Sequence, residues 1–186
     1  MNDPNKHNCI IKFLLLLMVT AFAVAITGCG GGGSSSGGGG GAAGVAGTFS
    51  GTGTVRVSSP SGSGMTISVP YSTVIEIDPN GNVTVDPDTP YPMNGKLSGN
   101  SFAINMPASS LNDAELSCTG SITIHGTCTP NAVNGTISSS GVVCNGVPMA
   151  VTGDYTATRV PAGSRAVSPD GLGQSITESL REAIRN

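Results

Sequence analysis

The sequence predicts an all-β fold: a small antiparallel up-and-down β-barrel of about eight strands, followed by a short C-terminal helix. Three observations point there. From Thr48 to about Thr158 the apolar residues recur with period two, which turns one face of each run to a core and the other to water. Turn dipeptides cut that stretch into short runs, with no helix-length insert between them. Five segments also repeat a pattern of polar, Gly, polar, apolar, polar, centred on Gly53, Gly95, Gly120, Gly135 and Gly153. In each the glycine shares a face with the apolar residue. A glycine inside a strand weakens it but lets it bend sharply, and five bends favour a closed barrel over a flat sandwich.

Residues 1–28 read as an export signal. Lys6 and Lys12 make a basic start, Phe13–Ile26 is almost unbroken apolar sequence, and Thr27 and Gly28 are small. That run is too short to span a bilayer comfortably, and its flanks are those of a cleaved secretory signal. Ile26-Thr27-Gly28-Cys29 resembles the lipobox of bacterial lipoproteins. The resemblance implies cleavage before Cys29 and diacylation of that cysteine, usually with N-acylation. It also implies a membrane lipid as partner, since two or three acyl chains anchor a protein stably. Gly30 rather than aspartate follows the cysteine, which by the enterobacterial sorting pattern implies the outer membrane.

Residues 29–47 follow as the lipidated cysteine and a linker. Gly, Ser and Ala dominate it, so it should be a flexible coil that spaces the domain from the membrane. The barrel domain then occupies 48–160. Its strands are expected at 48–58, 64–77, 82–86, 93–98, 101–106, 116–128, 132–144 and 147–158. Asp78-Pro79-Asn80-Gly81-Asn82 and Ser98-Gly99-Asn100 supply turns, and Asn145-Gly146 has the strongest hairpin signal, because both central residues of a type I′ turn take positive φ. Residues 161–186 form a connector and an amphipathic helix. Ser175 and Glu178 suit a capping box, Ile176, Leu180 and Ile184 make an apolar stripe, and Arg181 and Arg185 sit in the last turn. Whether this helix docks or frays stays open at this level.

Of the cysteines beyond Cys29, an exported chain should oxidise one pair. If Cys128 sits opposite Val133, Cys118 falls opposite residue 143. One extra residue in the 138–141 stretch moves its partner to Cys144. Directly opposed antiparallel residues lie within disulfide reach, so Cys118–Cys144 is the expected bridge and Cys128 the leftover thiol. Three cysteines at such spacings match no zinc pattern, and no metal or cofactor is expected.

The exported part carries six basic and ten acidic residues, without the basic stripe that nucleic acid requires. His125 is its one histidine, faces outward by register and has no neighbouring nucleophile, so no catalytic set is visible. Asp78, Asn80, Asn82, Asp86 and Asp88 cluster like calcium ligands, but Val83 and Thr89 stand where an EF-hand needs Gly and Glu. Turn chemistry explains them better. An eight-strand barrel is either filled by side chains or holds one small ligand. Met65, Tyr71, Phe102, Met106, Met149 and Tyr155 would line such an apolar cavity, and would serve equally as plain core. Two non-catalytic functions therefore stay open: binding a small apolar ligand inside, or acting as a structural or interaction module toward another envelope protein.

Overall fold

The computed structural model describes residues 44–59, 65–164, 166 and 171–185, all within the unit Gly39–Asn186. Nine strands follow one another: β1 Gly47–Ser58, β2 Thr66–Ile77, β3 Asn82–Val85, β4 Met93–Ser98, β5 Ser101–Pro107, β6 Cys118–Cys128, β7 Ala132–Cys144, β8 Val147–Pro148 and β9 Ala150–Arg159. All pairings are antiparallel. Each strand pairs with its chain neighbour from β1 to β7, β9 returns to lie between β7 and β1, and the sheet closes. The molecule is the expected closed eight-stave up-and-down barrel with one short extra strand.

That extra strand comes from splitting the predicted run 147–158. β7 pairs with β8 through Val143↔Pro148 but with β9 in a register one residue different, as Ser138↔Thr152. Pro148 has no N–H to continue a ladder, and Met149 sits in the break. The shift originates in β7, where one extra residue accumulates between Ser140 and Val143, opposite Gly120. Gly120 and Gly141 there have φ of 92° and 59°, values at which glycine avoids the Cβ clash. The bulge lies where the cysteine arithmetic needed it. Cys128 opposes Val133, Cys118 opposes Cys144, and the Cys118–Cys144 disulfide is formed. Asn145 and Gly146 both take positive φ, as their type I′ turn requires.

The barrel has a near end, where β1 starts, and a far end carrying the 86–92, 108–117 and 145–146 connections. Val45 is already buried and β1 begins at Gly47, so the last few residues assigned to the linker belong to the folded domain. Arg159 fixes this corner. It donates to Ala46 O at 2.7 Å and to Pro130 O, and its guanidinium lies 4.8 Å from the Phe49 ring centre.

The C-terminal helix α1, Leu172–Arg185, docks at the far end against β1 and β2. Leu172, Ile176 and Leu180 are fully buried. The helix starts three residues before the predicted capping box, so that reading is corrected. Ser175 lies within the first turns, where its carbonyl accepts from the Ser179 hydroxyl at 2.7 Å. The N-terminus is capped instead by Asp86, whose Oδ2 accepts from Leu172 N–H at 2.7 Å. The C-terminal part of the helix is held by Arg181 to Asp113 and, in its last turn, by Arg185 to Glu115 at 3.0 Å. Asn145 and Asn112 brace the same loop through main-chain bonds to Glu115, Ser117 and Cys118.

Candidate functional site

Inside the barrel, one row of inward positions runs around most of the wall. The pairings Tyr71↔Gly53↔Tyr155↔Gly135↔Gly126↔Phe102↔Leu97 link seven staves. Three glycines in it face three aromatic rings. A Cβ on Gly53 would lie 2.6 Å from the Tyr71 ring, one on Gly135 2.3 Å from Tyr155, and one on Gly126 2.3 Å from Phe102. The glycines are therefore seats for rings as well as bends. A ring lying over the bare backbone covers the apolar surface that a side chain on the glycine would have filled.

Five of the six expected cavity residues belong to this packed interior. Tyr71, Phe102, Met106, Met149 and Tyr155 are each at most 6% exposed and lie in the continuous apolar core. Met65 does not join them. It precedes β2 and is 38% exposed, because the alternating pattern runs one residue past the point where β1 and β2 stop pairing, at Ser58↔Thr66.

The two buried phenols differ. Tyr155 donates to His125 O at 2.9 Å. The Tyr71 hydroxyl is buried and has no hydrogen-bond partner among the described residues. Burial, and then the charge of neighbouring groups, raises both phenol pKa values far above the ordinary range. Cys128, the free thiol, is buried, and desolvation pushes it up to about 11.

The Asp78–Asp88 cluster divides into two structures with separate tasks. Asp78 accepts from Asn80 N–H and Asn82 N–H, both at 2.8 Å, and from the Asn82 amide. These bonds to its ionised form hold its pKa down. This is turn chemistry. Asp86 is wholly buried with φ of 52°. Its Oδ1 accepts from the Thr73 hydroxyl and Val74 N–H while Oδ2 caps α1. One carboxylate thus ties β2, the β3–β4 loop and the helix together, near the positive end of the helix dipole. Sequence reading missed this role, since the helix lies 86 residues away. Its short side chain between Val85 and Pro87 looked like an ordinary turn.

On the outside, His125 pairs with Thr136, and Thr136 with Asp154. His125 and Asp154 are thus two strands apart, about 10 Å at the backbone. Both line an open concavity of about 430 Å³, and Asp154 pairs with Arg56 at 3.0 Å.

One ladder of the wall is short. β4 and β5 pair only through Leu97↔Phe102 and Ser98↔Ser101, while β5 and β6 pair over seven residues. Beyond Leu97 the two strands stay close enough that a Cβ on Gly95 would lie 2.6 Å from the Ile104 side chain. At their far ends, beside Pro90–Pro92, lies a cleft of about 280 Å³ with buried Met93, Ile104 and Met106 at its base. No sequence signal marked it, because each strand alternates normally on its own. The expected lipidation site Cys29, the lipobox-like Ile26–Cys29 and the expected signal lie outside the described residues.

No protein-family model matches the chain, and no curated protein matches it in sequence. A solved structure that is similar is a mutant of transferrin binding protein B, a vaccine antigen from Haemophilus parasuis. It shows 14% identity and a TM-score of 0.45 over 63% of this chain and 27% of that one. The chain thus spans about a quarter of that protein's length.

Proposed function

We propose that this chain is a lipid-anchored protein of the bacterial outer membrane whose barrel is a non-catalytic interaction module, working through its outer surface. The lipobox Ile26-Thr27-Gly28-Cys29 and the glycine-rich stretch after it support the anchor. One observation carries the choice of the outside over the inside: the rings of Tyr71, Tyr155 and Phe102 occupy the space above the inward glycines.

A single observation favours the second reading, an apolar ligand carried inside. The partnerless hydroxyl of Tyr71 is the kind of buried polar group that a ligand's acceptor would satisfy.

Two experiments test the proposal. Cells fed an alkyne analogue of palmitate should label the protein, with an intact mass beginning at Cys29; Cys29→Ser should carry no label. An unlabelled chain starting at Met1 would refute the anchor. A photo-crosslinking residue placed at outward Asn105, Ser110, Thr136 or Thr54 should give an adduct heavier than the chain from at least one of these positions. Adducts from none of them would refute the interaction module.

A further inference from the structure

We infer that Asn145 is a self-modification site: its side chain cyclises onto Gly146, and the residue ages to aspartate and isoaspartate, loosening the 112–117 loop beside α1. The inference goes beyond the interaction-module reading and does not depend on it.

The chain contains four Asn-Gly pairs, at Asn80, Asn94, Asn134 and Asn145. With no Cβ, the glycine lets its own amide nitrogen approach the asparagine side chain. That nitrogen bonds to Cγ and gives up its proton, and the Cγ–Nδ2 bond breaks to release ammonia. Solvent water then opens the cyclic imide. Attack at Cγ gives aspartate. Attack at the main-chain carbonyl carbon gives isoaspartate, whose main chain is one carbon longer.

The surroundings of the four pairs differ. Gly95 lies in a ladder opposite Val83, and Gly135 lies between Gly126 and Tyr155 in two ladders. Gly81 is buried; its N–H donates to Asp78 O at 3.0 Å, and its carbonyl accepts from Leu97 N–H at 2.8 Å. Each of these glycines must break main-chain bonds before its nitrogen can move. Gly146 is exposed, and its N–H has no acceptor among the described residues. At Asn145 the electrophile is also prepared. Ser117 N–H donates to Asn145 Oδ1 at 2.9 Å, the oxygen that gains negative charge when the nitrogen adds to Cγ. A main-chain donor aimed at such an oxygen lowers the barrel's own barrier to the step.

The consequence follows from what Asn145 holds. Its Nδ2 donates to Glu115 O at 2.9 Å, and the same loop presents Asp113 to Arg181 and Glu115 to Arg185. A small cleft of about 50 Å³ brings Asn145 beside Leu116, Ile184 and Arg185. After conversion Glu115 O has lost its donor and faces a carboxylate. Isoaspartate further lengthens a tight turn whose flanking residues, Cys144 and Val147, are paired. The Cys118–Cys144 bridge ties the two strands together beneath that turn, so the change stays in the turn and the loop.

The test holds full-length protein in detergent at warm, mildly basic conditions and follows each Asn-Gly pair by peptide mapping with isoaspartate detection. Conversion at Asn145 should run about tenfold or more faster than at Asn80, Asn94 or Asn134, which react only from locally opened states. In the converted fraction, separated by charge, the amides of Glu115, Leu116 and Ser117 should exchange about threefold or more faster than in fresh protein. Those of Ile122 and Ile124 should be unchanged. Asn145→Gly keeps a residue suited to positive φ but cannot cyclise; it should yield no conversion there and show the fast loop exchange from the start. Conversion led by Asn80, Asn94 or Asn134 would overturn the inference. So would an Asn145 that stays intact while the urea-unfolded chain converts, or loop exchange equal in fresh and converted protein.

Discussion

The two sides of this barrel are built from the same alternating sequence and end up differently. On one side, β6, β7, β9, β1 and β2 are ten to thirteen residues long and pair along most of their length. Their inward glycines align across strands and take aromatic rings. On the other, β3, β4 and β5 are four to seven residues long. The ladder between β4 and β5 stops after two pairs, and α1 packs instead against β1 and β2. The difference teaches that alternation makes a strand but does not set how far it pairs. A long ladder also needs strand length, and bare backbone where rings must cross.

The comparison breaks first at its strongest point. Gly135→Val should destabilise the protein by about 3 kcal/mol or more, because a Cβ there would lie 2.0 Å from His125 O as well as against Tyr155. Urea unfolding measures it, and loss below about 1 kcal/mol would show that the ring row is not tightly packed. Asp86→Ala comes next, at about 2 to 3 kcal/mol, since Val74 N–H, Leu172 N–H and the Thr73 hydroxyl all lose their acceptor. The α1 amides should exchange faster while those of β6 and β7 stay protected. On the short-stranded side Gly95→Ala should cost about 1 to 2 kcal/mol, because its Cβ would lie 2.6 Å from Cγ1 of buried Ile104, and its three nearest atoms all belong to that side chain, which can shift more readily than backbone.

The smallest effect is in pH. The folded pKa of Cys128 is about 11 against an ordinary 9.0. The unfolded chain therefore releases that proton first, and the folded state binds more protons between the two values. Stability is fully present below about pH 9 and falls as pH rises through about 11. Cys128→Ala should flatten that part of the curve, as followed by thermal unfolding across pH 8 to about 11.

Much of this was legible because it is local. Strand positions follow from alternation and turn dipeptides. The Cys118–Cys144 bridge follows from counting residues across one hairpin and its bulge. What escaped depends on contacts closed around the barrel. Gly53 could be read as a bend, but its flanking by Tyr71 on β2 and Tyr155 on β9 emerges only once β9 returns beside β1. Asp86 as a cap needs α1 folded back onto the far end. The cleft beside Pro90–Pro92 needs the β4–β5 ladder to stop short between strands that each look ordinary. Met65 was placed in the interior because parity does not say where a wall ends.

The central claim is that the interior is occupied by the protein's own side chains and that binding happens outside. Native mass spectrometry of the protein purified from its membrane, released from detergent without organic solvent, tests it most directly. The account predicts the mass of the chain, its disulfide and its acyl groups with nothing further bound. A stoichiometric extra mass of a small apolar molecule, lost on solvent extraction, would contradict it and make the barrel a carrier.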